Sequence, residues 1–155
     1  MSAYAAARGV EIAIRRSSGT TATAADAARE IGCTVAEIVK SLVFIADGVP
    51  VVVLCSGADR VDEAKLKAAL AATVTRRATA DEAKSATGFA IGGVPPFGHA
   101  SDIRVIVDDR LTRSATVWAA AGLPDAVFPI APADLVRLSN GTVVEVAAAA
   151  PDARR

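Results

Sequence analysis

Histidine, cysteine and aromatic residues are scarce in this chain of 155 residues. It contains one histidine, His99, and two cysteines, Cys33 and Cys55, while aromatic residues make up 4% of the sequence. A single histidine excludes a histidine-rich metal site. The cysteines lie in apolar segments without Cys-x-x-Cys spacing or a ligand cluster, which favours small core residues in a reducing cytoplasm over a disulfide scaffold.

The chain also lacks net charge. Its 17 basic and 17 acidic residues cancel, which excludes a general electrostatic attraction to nucleic acid, so any contact with RNA has to be local. No basic segment followed by an apolar run is present at the N-terminus, and no signal peptide is expected. The apolar stretch 115–133 is interrupted by glycine and proline, which predicts two buried strands and a turn and no membrane span.

Several catalytic and nucleotide-binding motifs are absent. No Gly-x-Gly-x-x-Gly follows a first strand, and no Gly-x-x-x-x-Gly-Lys-Ser/Thr occurs, which disfavours the nucleotide-binding folds that use them. Ser41, Ser56 and Ser101 lack the Gly-x-Ser-x-Gly context of a nucleophile elbow.

The residues that are present indicate one globular domain. Hydrophobic residues make up 52% of the chain and charged residues 22%, enough to form a buried core. We expect the domain to cover residues 1–150, followed by a frayed tail at 151–155. Hairpins alternate with helices without strict βαβ repetition, which predicts an α+β (mixed α/β) fold with one curved mixed sheet of about six or seven strands and helices outside it.

Capping residues and apolar periodicity place the individual elements. Helices are predicted at 1–7, 23–31, 34–38, 62–70, 79–87 and 132–138. Strands are predicted at 10–14, 39–46, 49–55, 73–77, 103–108, 117–121, 126–130 and 142–146.

The segment 87–99 is unusual for this chain because it holds four glycines and two prolines in thirteen positions. Glycine allows close approach to the backbone, and proline restricts φ and removes a hydrogen-bond donor. The result is a rigid, irregular loop with N–H groups available on one side. Such a loop either holds a ligand or makes a tight connection between two core elements.

Lys40 interrupts an apolar strand. Regular alternation places it on the same face as Leu42. Its ammonium group either reaches solvent or an anion, or it serves as an edge lysine that discourages strand pairing.

Together, these features resemble the YbaK/ProX family of bacterial aminoacyl-tRNA deacylases, relatives of the editing domain of prolyl-tRNA synthetase. The resemblance covers most of the chain, and order and spacing make it specific. It depends on 39–42 (Val-Lys-Ser-Leu), the helix 62–70, Thr87-Gly88, the segment 92–98 (Gly-Gly-Val-Pro-Pro-Phe-Gly) and the strand 105–108.

The resemblance implies hydrolysis of the ester between a wrong amino acid and its tRNA, without a metal or other cofactor. The implied partners are the 3′ acceptor end of aminoacyl-tRNA and, as a candidate, prolyl-tRNA synthetase or another synthetase. The implied catalytic residues are Lys40, Gly92, Gly93 and Pro96. The implied substrate-binding residues are Ser41, Thr87, Gly88, Val94, Phe97, Gly98 and His99.

Two positions depart from better-known members of the family. Ser41 replaces the asparagine of alanine-specific relatives, and His99 replaces other polar residues. Because alternation points Ser41 away from Lys40, the resemblance implies a local irregularity near the start of this strand. Two other functions stay open: a non-catalytic module that binds tRNA or a synthetase, and a hydrolase of another small ester or amide.

Overall fold

A computed structural model describes residues 1–17 and 23–149. This part of the chain forms five α-helices and eight strands. The helices are α1 (Ser2–Ala6), α2 (Ala24–Ile31), α3 (Glu63–Leu70), α4 (Ala80–Thr87) and α5 (Pro132–Ser139). The strands are β1 (Arg15–Arg16), β2 (Val39–Ala46), β3 (Val49–Ser56), β4 (Thr75–Arg77), β5 (Arg104–Asp108), β6 (Val117–Ala120), β7 (Ala126–Ile130) and β8 (Thr142–Val144). Short 3-10 helices lie at Val35–Glu37 and Asp109–Arg113.

The predicted α+β single domain is confirmed, but its strands form two sheets instead of one. The larger sheet has the order β4-β2-β3-β5-β8, and the smaller has the order β1-β7-β6. β3, β5 and β8 are parallel to one another, whereas the β2 pairs and the whole smaller sheet are antiparallel. Within the described residues, one bridge, between Ile38 and Trp118, connects the two sheets.

Strand β2 has an open outer edge beside this bridge. Its inner edge pairs with β3 without interruption from Val39 opposite Ser56 to Ala46 opposite Val49. On its outer edge, β4 pairs only with residues 44–46. Among the described residues, Lys40, Ser41 and Leu42 therefore have a strand partner on one side only.

The main core lies between the two sheets. Val39, Val43 and Leu54 from the larger sheet pack in one buried cluster with Val117 and Phe128 from the smaller sheet. The opposite face of the larger sheet packs on α3 through a second cluster. Helix α2 packs separately against the bridge region, together with Ile38 and Trp118.

Local capping explains why the helices begin where the sequence predicts. Thr23 Oγ1 accepts a hydrogen bond from the Asp26 backbone at the start of α2. Asp62 caps α3 in the same way, and Thr79 and Glu82 form a reciprocal capping box at α4. Each cap satisfies backbone N–H groups that have no partner inside the helix.

The strand predicted at 10–14 is wrong, because only Arg15 and Arg16 pair with β7. Continuing this antiparallel register would place Ala13 opposite Pro129. Proline has no N–H to donate to a ladder, which explains why pairing stops. The predicted tail at 151–155 lies outside the described residues.

Candidate functional site

A cavity of about 260 Å³ lies where the open edge of β2 meets the smaller sheet, α2 and the glycine-proline loop. This volume is just below the usual range of ligand pockets, roughly 300–1,000 Å³. Its lining residues are Thr23, Ala24, Ala27, Ile38, Val39, Lys40, Ser41, Leu42, Val43, Arg77, Ala78, Ala83, Ile91, Gly92, Val94, Trp118, Ala120, Pro124 and Val127. Most of these are small or apolar, so the cavity suits a small organic group.

Ser41 provides a buried polar atom in this cavity. Its Oγ is buried and has no hydrogen-bond partner among the described residues. A buried hydroxyl without a partner costs about 1–3 kcal/mol. Because Ser41 lines the cavity, this buried hydroxyl is a candidate hydrogen-bond partner for a group that binds there.

The irregularity expected near the start of β2 is wrong, since the pairing with β3 is regular throughout. Lys40 and Ser41 both line the cavity even though their side chains alternate. This is possible because the cavity lies along the open edge of the strand.

A tight turn forms the cavity wall contributed by the glycine-proline loop. Gly93 N–H donates to the Ala90 carbonyl oxygen at 3.0 Å. Gly92, the third residue of this turn, has φ +92°, the positive value that a type II turn requires at that position. Gly92 and Val94 line the cavity, and no described residue accepts a hydrogen bond from the N–H of either.

Gly93 fixes the position of this turn against the connection between β6 and β7. A Cβ added at Gly93 would lie 2.9 Å from the Gly122 carbonyl oxygen and 3.1 Å from Leu123 Cα. Both are backbone atoms, so a side chain at this position would force the loop or the connection to move. The absence of a side chain at Gly93 therefore allows the glycine-proline loop to lie close to the connection between β6 and β7.

Lys40 is anchored beside the cavity. Its Nζ donates to the backbone carbonyl oxygen of Asp59, in a partly buried position. The Asp59 carboxylate in turn pairs with Arg110 at 2.8 Å. Since an ammonium group has three donors, Nζ keeps two for other partners.

Four of the sequence-predicted site residues come together in the cavity lining: Lys40, Ser41, Gly92 and Val94. Gly93 and Pro96 are buried beside it and do not line it. Thr87 ends α4, where its Oγ1 donates to the Ala83 carbonyl oxygen at 2.7 Å, and Gly88 follows as the C-cap.

Phe97, Gly98 and His99 lie in a second, polar cleft with Tyr4 and Asn140. Phe97 is a core residue that stacks on Tyr4 with ring centroids 5.7 Å apart. His99 Nε2 donates to the Pro95 carbonyl oxygen at 2.7 Å. Burial lowers the pKa of His99, although the bond to Pro95 acts in the opposite direction.

Comparison with known proteins relates the chain to a family. The aminoacyl-tRNA editing domain matches residues 19–138, more than half of the chain. This chain belongs to the aminoacyl-tRNA editing domain family. The resemblance stated from the sequence is therefore confirmed.

Individual relatives of this editing domain agree with that assignment. The uncharacterized protein YwhH of Bacillus subtilis is 32% identical over 124 residues, which cover 80% of this chain and 79% of YwhH. The proline–tRNA ligase of Streptococcus thermophilus is 39% identical over 75 residues, 48% of this chain but only 12% of the ligase.

A solved structure shows the same fold. It is that of a protein proposed to be a trans-editing enzyme for prolyl-tRNA synthetase, with 36% identity and a TM-score of 0.85. The match covers 89% of this editing domain and 87% of that chain. An editing role is thus supported by fold and sequence together.

Sequence reasoning missed the residues that the smaller sheet contributes to the cavity. Trp118 and Ala120 lie on one face of β6, and Val127 lies opposite Ala120 on β7. The other face of these strands carries the buried core residues Val117 and Phe128. Residues 117–120 and 126–130 are all apolar, so the sequence carries no signal that distinguishes the cavity face of this sheet from its core face.

The two cysteines differ in exposure, since Cys55 is buried and Cys33 is half-buried. Cys55 is fully buried, and burial raises the pKa of its thiol to about 11. Burial, followed by the nearby Glu37 carboxylate, also raises the pKa of Cys33. Both thiols therefore stay protonated at neutral pH, which makes them poor nucleophiles.

The described residues contain neither a candidate metal-binding cluster nor a candidate membrane-spanning helix. Within 1–17 and 23–149, no group of three or more histidine, cysteine or acidic side chains is placed to hold a metal ion. No helix in the same ranges has the length and apolar character needed to cross a membrane.

Proposed function

We propose that this editing domain hydrolyses the ester that joins a wrong, small amino acid to the 3′ end of a tRNA. The cavity between the β2 edge and the glycine-proline loop carries this proposal, because it combines a small apolar volume with one unpartnered hydroxyl. Family membership supports the reaction class, and the fold match to a protein proposed as a trans-editing enzyme supports action on aminoacyl-tRNA.

A separate editing site is useful for small amino acids because a synthetase distinguishes them poorly. A synthetase distinguishes amino acids that differ by one methylene through only about 1–3 kcal/mol. A second site that admits only small side chains can remove the resulting errors. Here the buried side chains of Val39, Val43 and Val94 line the cavity and limit the space on that side.

Hydrolysis needs an activated carbonyl and a water molecule. In the proposed reaction, water attacks the ester carbonyl carbon, the bond to the ribose oxygen breaks, and that oxygen takes a proton. The N–H groups of Gly92 and Val94 are suited to bind the carbonyl oxygen as it gains negative charge. Because the aminoacyl ester is already labile, such a preorganised site needs no protein nucleophile.

Lys40 is the proposed contact to the terminal nucleotide. Its Nζ is held by the Asp59 carbonyl and retains two donors for a phosphate or ribose oxygen. Fixing the nucleotide would fix the ester against the loop, and such positioning contributes strongly to rate. The reaction would take place in the cytoplasm, and prolyl-tRNA synthetase or another synthetase is a candidate partner.

A panel of aminoacyl-tRNAs tests the function. We expect rapid deacylation of small esters, with cysteine, serine, threonine and alanine as candidates, and slow deacylation of bulky ones. Equal turnover of small and bulky esters would refute the selection by size. Binding of tRNA without turnover would instead support a non-catalytic module, and turnover of simple small esters alone would support a different hydrolase.

Replacing Ser41 by alanine should lower activity without lowering stability. The Oγ of Ser41 has no partner in the described structure, so its removal relieves a buried unpaired group and should leave the melting temperature unchanged or higher. Loss of a hydrogen bond to the aminoacyl group should reduce kcat/KM roughly 3- to 10-fold. Thermal melting and single-turnover deacylation measure the two effects. A variant that is both less stable and fully active would show that Ser41 serves the fold alone.

The reaction should depend on neither thiol nor metal chemistry. A Cys33→Ser/Cys55→Ala protein should keep the deacylation rate within about twofold at a temperature well below its melting point, because neither thiol is ionised. Treating the wild-type protein with a chelator should have equally little effect. More than a tenfold loss in either folded sample would contradict a mechanism without a nucleophile or metal.

A further inference from the structure

Arg15 lies at the edge of the cavity although it is distant from the other lining residues in sequence. In the smaller sheet, Arg15 pairs directly with Val127, and Val127 pairs directly with Ala120. Directly paired residues point to the same face of a sheet. Because Val127 and Ala120 both line the cavity, Arg15 extends this row at the cavity edge.

The Arg15 guanidinium rests on an aromatic ring that also belongs to the cavity. Its Cζ lies 5.3 Å from the centroid of Trp118, within the roughly 6 Å of a cation–π contact. Trp118 itself is half-buried and lines the cavity. The ring therefore holds the guanidinium group beside the opening.

Arg15 is exposed and retains its hydrogen-bonding capacity. Its neighbour Arg16 pairs with Asp125 at 2.8 Å. No carboxylate among the described residues forms an ion pair with Arg15. A guanidinium group that is held on one face and not neutralised is suited to stack on a planar base or to bind a phosphate.

We propose that Arg15 and Trp118 form a binding platform for the 3′-terminal nucleotide of the tRNA, whose base stacks on the guanidinium group. The inference deepens the proposed function and rests on it. The ester is attached to the ribose of that nucleotide, so an amino acid inside the cavity places the nucleotide at its edge. Single-stranded RNA ends are commonly bound by stacking on aromatic rings and arginine planes.

The overall charge balance makes such a local contact necessary. With 17 basic and 17 acidic residues, the chain has no net charge to attract the phosphate backbone. Affinity for the acceptor end must therefore come from local contacts. Arg15 is positioned to supply one of them.

Tryptophan fluorescence can test the platform directly, because Trp118 is the single tryptophan of the chain. A minihelix RNA that ends in the terminal adenosine should change this fluorescence, and the same RNA without that adenosine should bind about tenfold more weakly. AMP and adenosine should also change it, whereas ribose 5-phosphate should not. Equal responses to AMP and ribose 5-phosphate would overturn base stacking, as would equal affinities for the two RNAs.

A second contact between an arginine and an aromatic ring, elsewhere in the fold, provides a matched control. Arg8 lies 3.6 Å from the centroid of Tyr4, and neither residue lines the cavity. Arg15→Ala and Arg8→Ala thus remove the same charge from the same kind of contact. Arg15→Ala should weaken minihelix binding about tenfold and raise KM with little change in kcat, while Arg8→Ala should leave both unchanged. Equal effects of the two substitutions would overturn the platform.

The outcomes also separate this inference from the proposed function. Adenosine-dependent fluorescence that is lost in Arg15→Ala supports the platform, even if no aminoacyl-tRNA is hydrolysed and the deacylase proposal fails. Rapid deacylation with an unchanged KM in Arg15→Ala overturns the platform and leaves the deacylase proposal standing.

Discussion

Replacing Lys40 by alanine should reduce single-turnover deacylation by about 10²-fold or more while leaving the protein folded. Loss of the ammonium group removes the proposed grip on the terminal nucleotide, and a misplaced ester reacts slowly. The fold should lose the charge-assisted hydrogen bond from Nζ to the Asp59 carbonyl, about 1.5–3 kcal/mol. Since 1 kcal/mol lowers the melting temperature of a domain of this length by roughly 2–4 °C, we expect a decrease of about 3–12 °C.

Two further variants make the Lys40 result specific. Lys40→Arg should recover activity only in part, because a planar guanidinium group cannot reproduce the compact geometry of an ammonium group. Lys67→Ala removes the same charge from the exposed face of α3, outside the cavity lining. It should affect tRNA affinity only slightly, through nonspecific charge. A Lys40→Ala protein that is folded at the assay temperature and deacylates at the wild-type rate would refute the role assigned to this residue.

Gly93→Ala should lower kcat/KM by about tenfold or more, although Gly93 does not line the cavity. The new Cβ would lie 2.9 Å from the Gly122 carbonyl oxygen, a contact that real structures avoid. Relief of this overlap moves the turn that carries the Gly92 and Val94 N–H groups, and small displacements of such donors are costly. The same overpacking should destabilise the protein by about 1–3 kcal/mol.

A second glycine separates loss of stability from displacement of the site. Gly48 has φ +80° in the turn between β2 and β3, and a Cβ there would meet nothing within 4 Å. Gly48→Ala should cost about 1–2 kcal/mol through backbone strain alone. Assayed well below both melting temperatures, it should deacylate at the wild-type rate. A Gly93→Ala protein that is equally active would show that the distance between the loop and Gly122 is unimportant.

The helices were predictable because their boundaries depend on neighbours in sequence. Thr23, Asp62 and Thr79 each cap a helix through backbone groups two or three residues away. The hairpin at Asp47-Gly48 is equally local. By contrast, the alternation at 10–14 suggested a strand that did not form, because its possible partner contains Pro129, more than 100 residues later.

The candidate site was predictable only in part, because some of its residues are brought together by pairing between distant segments. Lys40 and the glycine-proline loop are unusual in their own segments, so they could be selected from composition and motif resemblance. Ser41 was selected as well, but its unpartnered hydroxyl became apparent only when the surrounding residues were in place. Trp118 and Arg15 carry no local signal, because their roles depend on pairing between β1, β6 and β7.

By itself, the sequence determined the family, the α+β class, the capped helix ends and the presence of a rigid loop after α4. These features depend on residue order and on contacts within a few positions. Tertiary structure alone decided that the strands form two sheets, that the outer edge of β2 stays open, and that Arg15 lies over Trp118 beside the cavity. Those features depend on pairings between distant segments, and many pairings satisfy the same apolar pattern until packing of the whole core selects one.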